Sequence, residues 1–553
     1  MTPQTLVTVI RETLERLVER GDIQLDGPVP TDILVERPKV REHGDYATNI
    51  SMRLAKNAGM KPRDLAGIIA DELADADGIA SVDVAGPGFL NVWLDAGAQA
   101  TLAAHILAES TSYGRSSALG GQTINLEFIS ANPTGPLHLG HTRWAAVGDA
   151  MARVMEAAGA EVTREFYVND RGNQMDIFGA SLRARANGAQ VPEDGYHGDY
   201  IDRLARQIVD DNPAIEQLNQ DDQVVAFREA GYALQLAEQQ AELAEFRTHF
   251  DVWFSERSLY ESDAVSHGLQ ELDKQGRLYE RDGATWMTTS EFGDDKDRVL
   301  VRSNGELTYF ASDTAYYLNK RERGFQICLY LLGADHHGYV GRLSAMAACV
   351  GDTPGEQLVV MIGQLVKILH DGEELRLSKR AGTIVSLREL IDLIGVDALR
   401  YSLNRYPVDS PLTLDVAEMT RRSNDNPVYY VQYAHARLSS ILRHAADLQI
   451  AVDTDVDLDV LTHEREGDLL RALAEYPRVV ARAAELREPH RVARYLEDTA
   501  ATFHKFYDTC HVLPRGDDDP TPIQRARLVL IAATRQVFAN GLDLLGVTAP
   551  ERM

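Results

Sequence analysis

Residues 124–159 change character twice, in an order that few folds accommodate. Ile124–Ile129 is an apolar run of β type. Ser130, Asn132, Pro133, Gly135 and Pro136 follow, and they are loop chemistry. After His138-Leu139-Gly140-His141 the apolar positions Val147, Met151, Val154 and Met155 recur at i, i+4, i+7 and i+8, the spacing of one helix face. Gly159 is placed to stop that helix. The pattern predicts strand, loop and helix, with two histidines at the helix start. Free backbone N–H groups and the helix dipole favour an anion there, and phosphate is the expected occupant. The bland alternative is two surface histidines at an ordinary helix start. The preceding strand and the Asn-Pro-Thr-Gly-Pro lead-in weigh against it.

The chain around this stretch alternates in kind. A strand is expected at 161–168 and a helix from about 172, so 123–180 reads as β-loop-α-β-α, the signature of a doubly wound parallel sheet. The runs ICLYLLG (327–333) and LVVMIG (358–363) are apolar throughout, as buried parallel strands are. Turns are expected at Arg281-Asp282-Gly283, Ser303-Asn304-Gly305 and Asp371-Gly372. Between these signals, 186–265 is polar and Gln/Glu-rich and reads as a mostly helical insertion. Residues 1–112 read as a separate α+β unit, with a helix at 62–75 and strands at 80–85 and 89–94. Residues 110–122 have linker composition. From about 386 the chain is all helix by pattern, and 426–446, 463–486, 488–510 and 522–545 suggest a bundle. The expected domains are therefore 1–112, 113–385 and 386–553.

Composition narrows the function classes. No run reaches the ~18 uninterrupted apolar residues that span a membrane. The charged, helical N-terminus carries no signal-type apolar core. Cys328, Cys349 and Cys510 lie far apart and form no CxxC pair, which argues against a zinc ribbon or a disulfide scaffold. A cytoplasmic protein is expected. Its 56 Lys+Arg against 84 Asp+Glu give −28, which taken alone disfavours a polyanionic partner. Local charge is a separate matter: arginines cluster at Arg376 and Arg380, Arg421-Arg422, and Arg478 with Arg482.

A second motif follows the expected hairpin at 371–372: Arg376-Leu377-Ser378-Lys379-Arg380-Ala381-Gly382-Thr383. A basic loop closing on phosphates would supply Lys379 against a pyrophosphate leaving group. Together with HLGH it is similar to the HIGH and KMSKS signatures of the class I aminoacyl-tRNA synthetases. More narrowly, the chain resembles the bacterial arginyl-tRNA synthetase family. EFISANPTGPLHLGH (127–141), GADHHGY (333–339), LSKRAGT (377–383), GVDALRY (395–401) and NPVYYVQYAHARL (426–438) carry that resemblance, which runs from GDYATN (44–49) to GVTAPERM (546–553). Arg376 and Arg380 depart from KMSKS at its first and last positions. Lys379 keeps the second lysine.

The resemblance implies a Rossmann-like catalytic domain, an N-terminal domain reading the tRNA elbow and a C-terminal anticodon-binding bundle. The implied reaction activates L-arginine with ATP, Mg²⁺ arriving with the nucleotide, and charges tRNA(Arg). Catalysis falls to His138, His141 and Lys379, and ATP binding to these with Gly140, Ser378 and Arg380. Arginine recognition falls to Glu127, Asn132, Tyr309, Asp313, Asp335 and His336. A guanidinium needs a carboxylate that receives its planar fork, the role implied for Asp313. The bland reading of Asp313 is a helix N-cap. Glu127 sits in an apolar strand, where a lone carboxylate is costly unless it has a task. No metal site is expected at Asp335-His336-His337, which lacks ordered further ligands. For tRNA the implied residues are Phe89, Asn91, Tyr430, Tyr433, Arg437 and Met553. The bland reading of the tyrosines is a core stripe. A monomer is expected. A small-molecule nucleotidyltransferase, or a synthetase-like RNA-binding module without activity, remain the alternatives.

Overall fold

A computed structural model describes residues 1–38, 40–374, 385–516 and 518–553. Ser378, Lys379 and Arg380 lie outside the described residues.

Strand β1 (Thr123–Glu127) leads into helix α1 (Leu139–Ala157) and back to β2 (Glu161–Val168). Helices α2 (Asn173–Ala186), α3 (Asp199–Asp211) and α4 (Gln220–Glu245) precede β3 (Val252–Ser255), and α5 (Tyr309–Glu322) precedes β4 (Ile327–Gly333) and β5 (Leu358–Gly363). All five strands are parallel, in the order β5-β4-β1-β2-β3. The chain steps outward from β1 through β2 to β3, then crosses to β4 on the other side. A doubly wound sheet opens a crevice at the carboxyl ends of its strands where this reversal occurs, here between β1 and β4. The apolar β4 is buried from Cys328 to Leu331, and Val147, Met151, Val154 and Met155 of α1 all face the core.

Three expectations needed revision. The insertion is not wholly helical, because Val252–Ser255 adds to the sheet edge beside β2. Four residues are too short for a helical face, and pairing satisfies their backbone groups. The chain after 386 is not all helix either. In Leu412–Asp415 the side chains alternate between buried and exposed, and the segment pairs in parallel with Val366–His370. Residues 110–122 are not a free linker. Tyr113 is buried, its hydroxyl donates to the Leu473 carbonyl (2.9 Å), and Ser116 and Leu119 donate their backbone N–H groups to the carbonyls of Ala157 and Ala158.

The N-terminal unit has its own core, closed by helix Pro3–Arg20 and a four-stranded antiparallel sheet ending at Leu94. Helix Ala96–Glu109, on the N-terminal side of the boundary expected at 112, packs instead on helices Glu464–Ala474 and Pro522–Leu544. Its Leu102, Ala103 and Ile106 share the core of the catalytic sheet and the bundle. Asp45 of the GDY turn pairs with Arg471 of that bundle at 3.2 Å. No helix among the described residues is long and apolar enough to cross a membrane.

Helices α6 (Leu387–Ile394) and α7 (Val396–Asn404) lead to the C-terminal helices Pro427–Asp447, Glu464–Ala474, Tyr476–Leu486, His490–Thr509 and Pro522–Leu544. The joint is polar and buried. Arg400 of α7 pairs with Asp149 of α1 at 2.5 Å and donates to the carbonyls of Phe246, Arg247 and Leu545. Gly546 makes room for it: a Cβ there would lie 2.2 Å from the guanidinium. Arg400 therefore ties the helix of the HLGH motif to the end of the insertion and to the C-terminal segment. Removing one member of such a buried pair leaves the other charge poorly compensated. Arg400→Ala is expected to lower the unfolding free energy by about 3–5 kcal/mol, read from urea unfolding; a loss within experimental error would contradict this role.

Candidate active site

The crevice between β1 and β4 is a cleft of about 770 Å³. It brings together Glu127, Asn132, His138, Gly140, His141, Asp335 and His336. Tyr309 and Asp313 are not on its wall. Tyr309 is exposed, whereas Asp313, one turn along α5, is half-buried.

The two histidines form one unit. Their rings stack at 3.8 Å between centroids. The Gly140 N–H donates to His138 Nδ1 at 3.1 Å, and the His138 N–H donates to His141 Nδ1 at 3.2 Å. An Nδ1 that accepts carries no proton, so in each neutral ring the proton sits on Nε2. Each imidazole then offers an N–H donor beyond the helix end, which adds to the dipole's preference for anions. Gly140 allows this, since a Cβ there would meet the His138 ring at 3.0 Å.

The lead-in loop is sharply bent. Ile129 and Ser130 both adopt positive φ, 70° and 44°. For a β-branched residue this costs of order 1–3 kcal/mol. The Ser130 hydroxyl holds the bend: it donates to Glu127 Oε1 (3.0 Å) and accepts the Tyr167 N–H (3.2 Å). Ser386, the first residue before α6, bridges to His138, and the Leu387 N–H donates to the Leu137 carbonyl at 2.8 Å. The described residue next but one after 384 thus sits against the HLGH motif.

Glu127 is not a lone carboxylate. Its Oε2 lies 2.5 Å from Lys320 Nζ of α5, a side chain fully buried between the rings of Tyr316 and Tyr330. Glu165, beside Glu127 in register, is held by Arg323 (2.7 Å) and the Tyr316 hydroxyl (2.6 Å). Asp313 is not an N-cap. Thr308 occupies that position, and Asp313 lies within α5, accepting a hydrogen bond from the Tyr339 hydroxyl. Burial pushes its carboxyl up to about 6, against the opposing effect of that hydroxyl. Glu256 is buried close by, and burial pushes it to about 7. Repulsion adds to burial in both cases, from Glu127 on Asp313 and from Asp170 and Asp313 on Glu256. Arg171 acts on Glu256 and Arg342 on Asp313, but neither offsets burial, so both acids are suited to a further cationic ligand with several donors. Glu256 was read as part of a polar insertion and missed. Lys320 was also missed, although Tyr309, Asp313, Tyr316 and Lys320 recur at 0, 4, 7 and 11, the spacing of one helix face. Asp335 and His336 pair with each other at 3.1 Å on the exposed rim.

The residues expected to meet tRNA divide. Tyr433, Arg437 and Met553 line a second cleft of about 860 Å³ with Tyr507, His511 and Arg515. Arg437 stacks over Tyr507 at 4.2 Å. Tyr430 does not line that cleft: it packs on His504 and the bundle core. Phe89 is exposed at its turn, but Asn91 is buried in the strand between two neighbours. Arg478 and Arg482 are paired with Glu475 and Glu485 three residues away, so they form no free basic patch. Arg421 and Arg422 are exposed.

This sheet order, with HLGH at the carboxyl end of β1 and a bundle packed behind it, defines a class I aminoacyl-tRNA synthetase. The model of the class I (R) tRNA synthetase catalytic domain matches residues 103–405, that of the arginyl tRNA synthetase N terminal domain 4–94, and that of the DALR anticodon binding domain 431–553. The chain belongs to the arginyl-tRNA synthetase family. It is 54% identical over its whole length, and over the whole length of the relative, to an arginine–tRNA ligase of Kineococcus radiotolerans. The fold matches the arginyl-tRNA synthetase of Thermus thermophilus with a TM-score of 0.76 at 23% identity, covering 100% of both chains. That of Plasmodium falciparum matches at 0.71 and 18%, covering 99% of this chain and 98% of the other.

The raised Asp313 carboxyl has a stability consequence. The folded state holds this proton more tightly than the unfolded chain does. Stability is therefore lost as pH rises from the unfolded value near 3.8 to about 6, and stays lost above it. Asp313→Asn is expected to raise the stability of the ligand-free protein at pH 7.5 by about 2 kcal/mol and to flatten its pH dependence in that window. Thermal midpoints measured from pH 4 to 8 test this, and a less stable variant at pH 7.5 contradicts it.

Proposed function

We propose that the arginine–tRNA ligase reaction of this chain runs at the junction of β1 and α1, with the amino acid at its head and ATP at its tail. In the first step an arginine carboxylate oxygen attacks the α-phosphorus of ATP, and pyrophosphate leaves with the β- and γ-phosphates. In the second, the 2′-hydroxyl of the terminal tRNA ribose attacks the arginyl carbonyl, and AMP leaves. No covalent enzyme intermediate is needed. Catalysis is positioning and charge stabilisation.

His138 and His141 donate from Nε2 to phosphate oxygens, and Gly140 lets the nucleotide approach the helix end. Lys379, with Ser378 and Arg380, stabilises the leaving pyrophosphate. Mg²⁺ enters with ATP, held chiefly by phosphate oxygens. Asp313, with Glu256 behind it, takes the guanidinium fork while Tyr309 covers it. Glu127 and Asn132 address the α-amino end, and Asp335 and His336 close the rim. The C-terminal cleft takes the anticodon loop, with unpaired bases stacking on Tyr433, Tyr507 and the Arg437 plane, while Phe89 meets the tRNA elbow. Arg437, Arg443, Arg515 and Arg552 gather positive charge there on an otherwise acidic protein. The enzyme acts in the cytoplasm as a monomer, and activation requires bound tRNA. The observation that carries this reading is the pair of tautomer-fixed histidines sharing one cleft with Glu127 and Asn132.

Amino-acid-dependent ATP–pyrophosphate exchange, with and without tRNA, tests it. Exchange is expected with arginine and tRNA together. Exchange with another amino acid alone would overturn the arginine assignment, and exchange without tRNA would overturn the requirement for it. Lys379→Ala is expected to lower the rate roughly 100-fold; an unchanged rate removes its role. Protonation of Asp313 takes away the charge that the guanidinium meets. The KM for arginine is therefore expected to rise as pH falls through about 6, whereas a KM constant from pH 8 to 5 contradicts that assignment.

A further inference from the structure

The loop between β1 and α1 carries both ends of the site but does little to hold its own shape. Pro133 and Pro136 bring no N–H. Among the described residues, no backbone–backbone hydrogen bond fastens residues 131–136. Their partners are side chains of α2, α3 and α4. Gln239 of α4, fully buried, donates from Nε2 to two carbonyls at once, Asn132 at 3.1 Å and Gly135 at 2.8 Å. The Tyr200 hydroxyl of α3 donates to the Thr134 carbonyl between them at 3.1 Å. Gln174 of α2 accepts from the Asn132 side chain at 2.5 Å.

Helices α2, α3 and α4 thus each place one side chain on this loop. The three helices are themselves a packed body, with a core that includes Phe178, Leu182, Ile201, Leu204 and Phe227. An ion pair of Arg203 and Glu238 (2.7 Å) straps α3 to α4. The far end of α4 is tied through Glu245 to Arg388 of α6, whose first turn meets the HLGH motif. The loop is therefore shaped from outside by a rigid platform.

We propose that the helical insertion is a positioning element for the activation step, and that Gln239, assisted by Tyr200, is its principal positioning residue. By fixing the carbonyls of 132, 134 and 135, it sets the separation between Asn132, at the amino acid, and His138, at the phosphate. That separation decides whether the arginine carboxylate meets the α-phosphorus in line. This rests on the two-ended reading of the junction given above. Misplacement by about 1 Å costs roughly 100-fold in rate when the reactants are otherwise bound, so the effect belongs in kcat more than in KM.

Gln239→Glu keeps the shape and replaces both donated hydrogen bonds with repulsion between oxygens. Gln239→Met removes them without adding charge, and Tyr200→Phe removes the third. Pyrophosphate exchange with arginine and tRNA is measured for each, beside the thermal midpoint. We expect kcat to fall roughly 10-fold to 100-fold in both Gln239 variants, with KM for arginine within about threefold. Tyr200→Phe should cost less, and its effect should shrink in the Gln239→Met background, because both act on one loop. Folded Gln239 variants with kcat near that of the unsubstituted protein overturn the proposal. So does a change confined to KM, or a kcat loss no larger than the unfolded fraction. Should the unsubstituted protein fail to exchange with any amino acid, the activation reading itself falls, and that result is visible without any variant.

Discussion

A helix that begins at the carboxyl edge of a parallel strand has backbone N–H groups with no partner in their own helix. Here two of them, on His138 and Gly140, are spent on ring nitrogens of the same turn. That arrangement does more than cap the helix. It decides which nitrogen of each imidazole holds the proton, and so turns both rings into donors that point beyond the end of α1. The rest of the structure is arranged to keep this turn where it is. The insertion grips the loop before it, Ser386 and Leu387 bridge to it from the side, and Arg400 anchors the helix behind it through Asp149.

The same junction explains why charge is handled so differently across a few residues. Glu127 and Glu165 are balanced by Lys320 and Arg323, so that part of the sheet is electrostatically closed. Asp313 and Glu256 are left with carboxyls raised chiefly by burial. A fold selected for stability alone would pair them or remove them. Two acids held with raised carboxyls cost the empty protein stability, as groups kept for a ligand would. At the other end of the molecule the acidic chain gathers arginines around one cleft of the bundle. Net charge thus says little about how charge is distributed locally.

Most of the central sheet could be read from the sequence, because long apolar runs and a clean helical period are the strongest local signals. The 161–168 strand and most bundle helices came out within a residue or two, but 463–486 is two helices that divide at Glu475. Short strands did not. Val252–Ser255 and Leu412–Asp415 owe their conformation to a partner far away in sequence, and four residues carry no period of their own. Glu127 was misjudged for a related reason. Its burial was legible, but its partner Lys320 lies in another element, in a stretch that reads as a charged helix end. The chemistry of the histidines was only half visible. The helix start at HLGH was legible, while the tautomer follows from hydrogen bonds that spacing cannot show. Asn91 and Tyr430 fared worst, since a strand or helix residue reveals its spacing in sequence and not the face it turns to solvent.

The central claim is that one strand–loop–helix holds both reactants, the amino acid at its head and the phosphate at its tail. A crystal structure with a non-hydrolysable analogue of arginyl-adenylate tests it most directly. The account places the analogue's phosphate-like oxygens within about 2.7–3.2 Å of Nε2 of His138 or His141, and its guanidinium on the Asp313 carboxylate. An analogue whose phosphate mimic lies away from the start of α1, or whose guanidinium turns from Asp313 to the rim at Asp335, would contradict it.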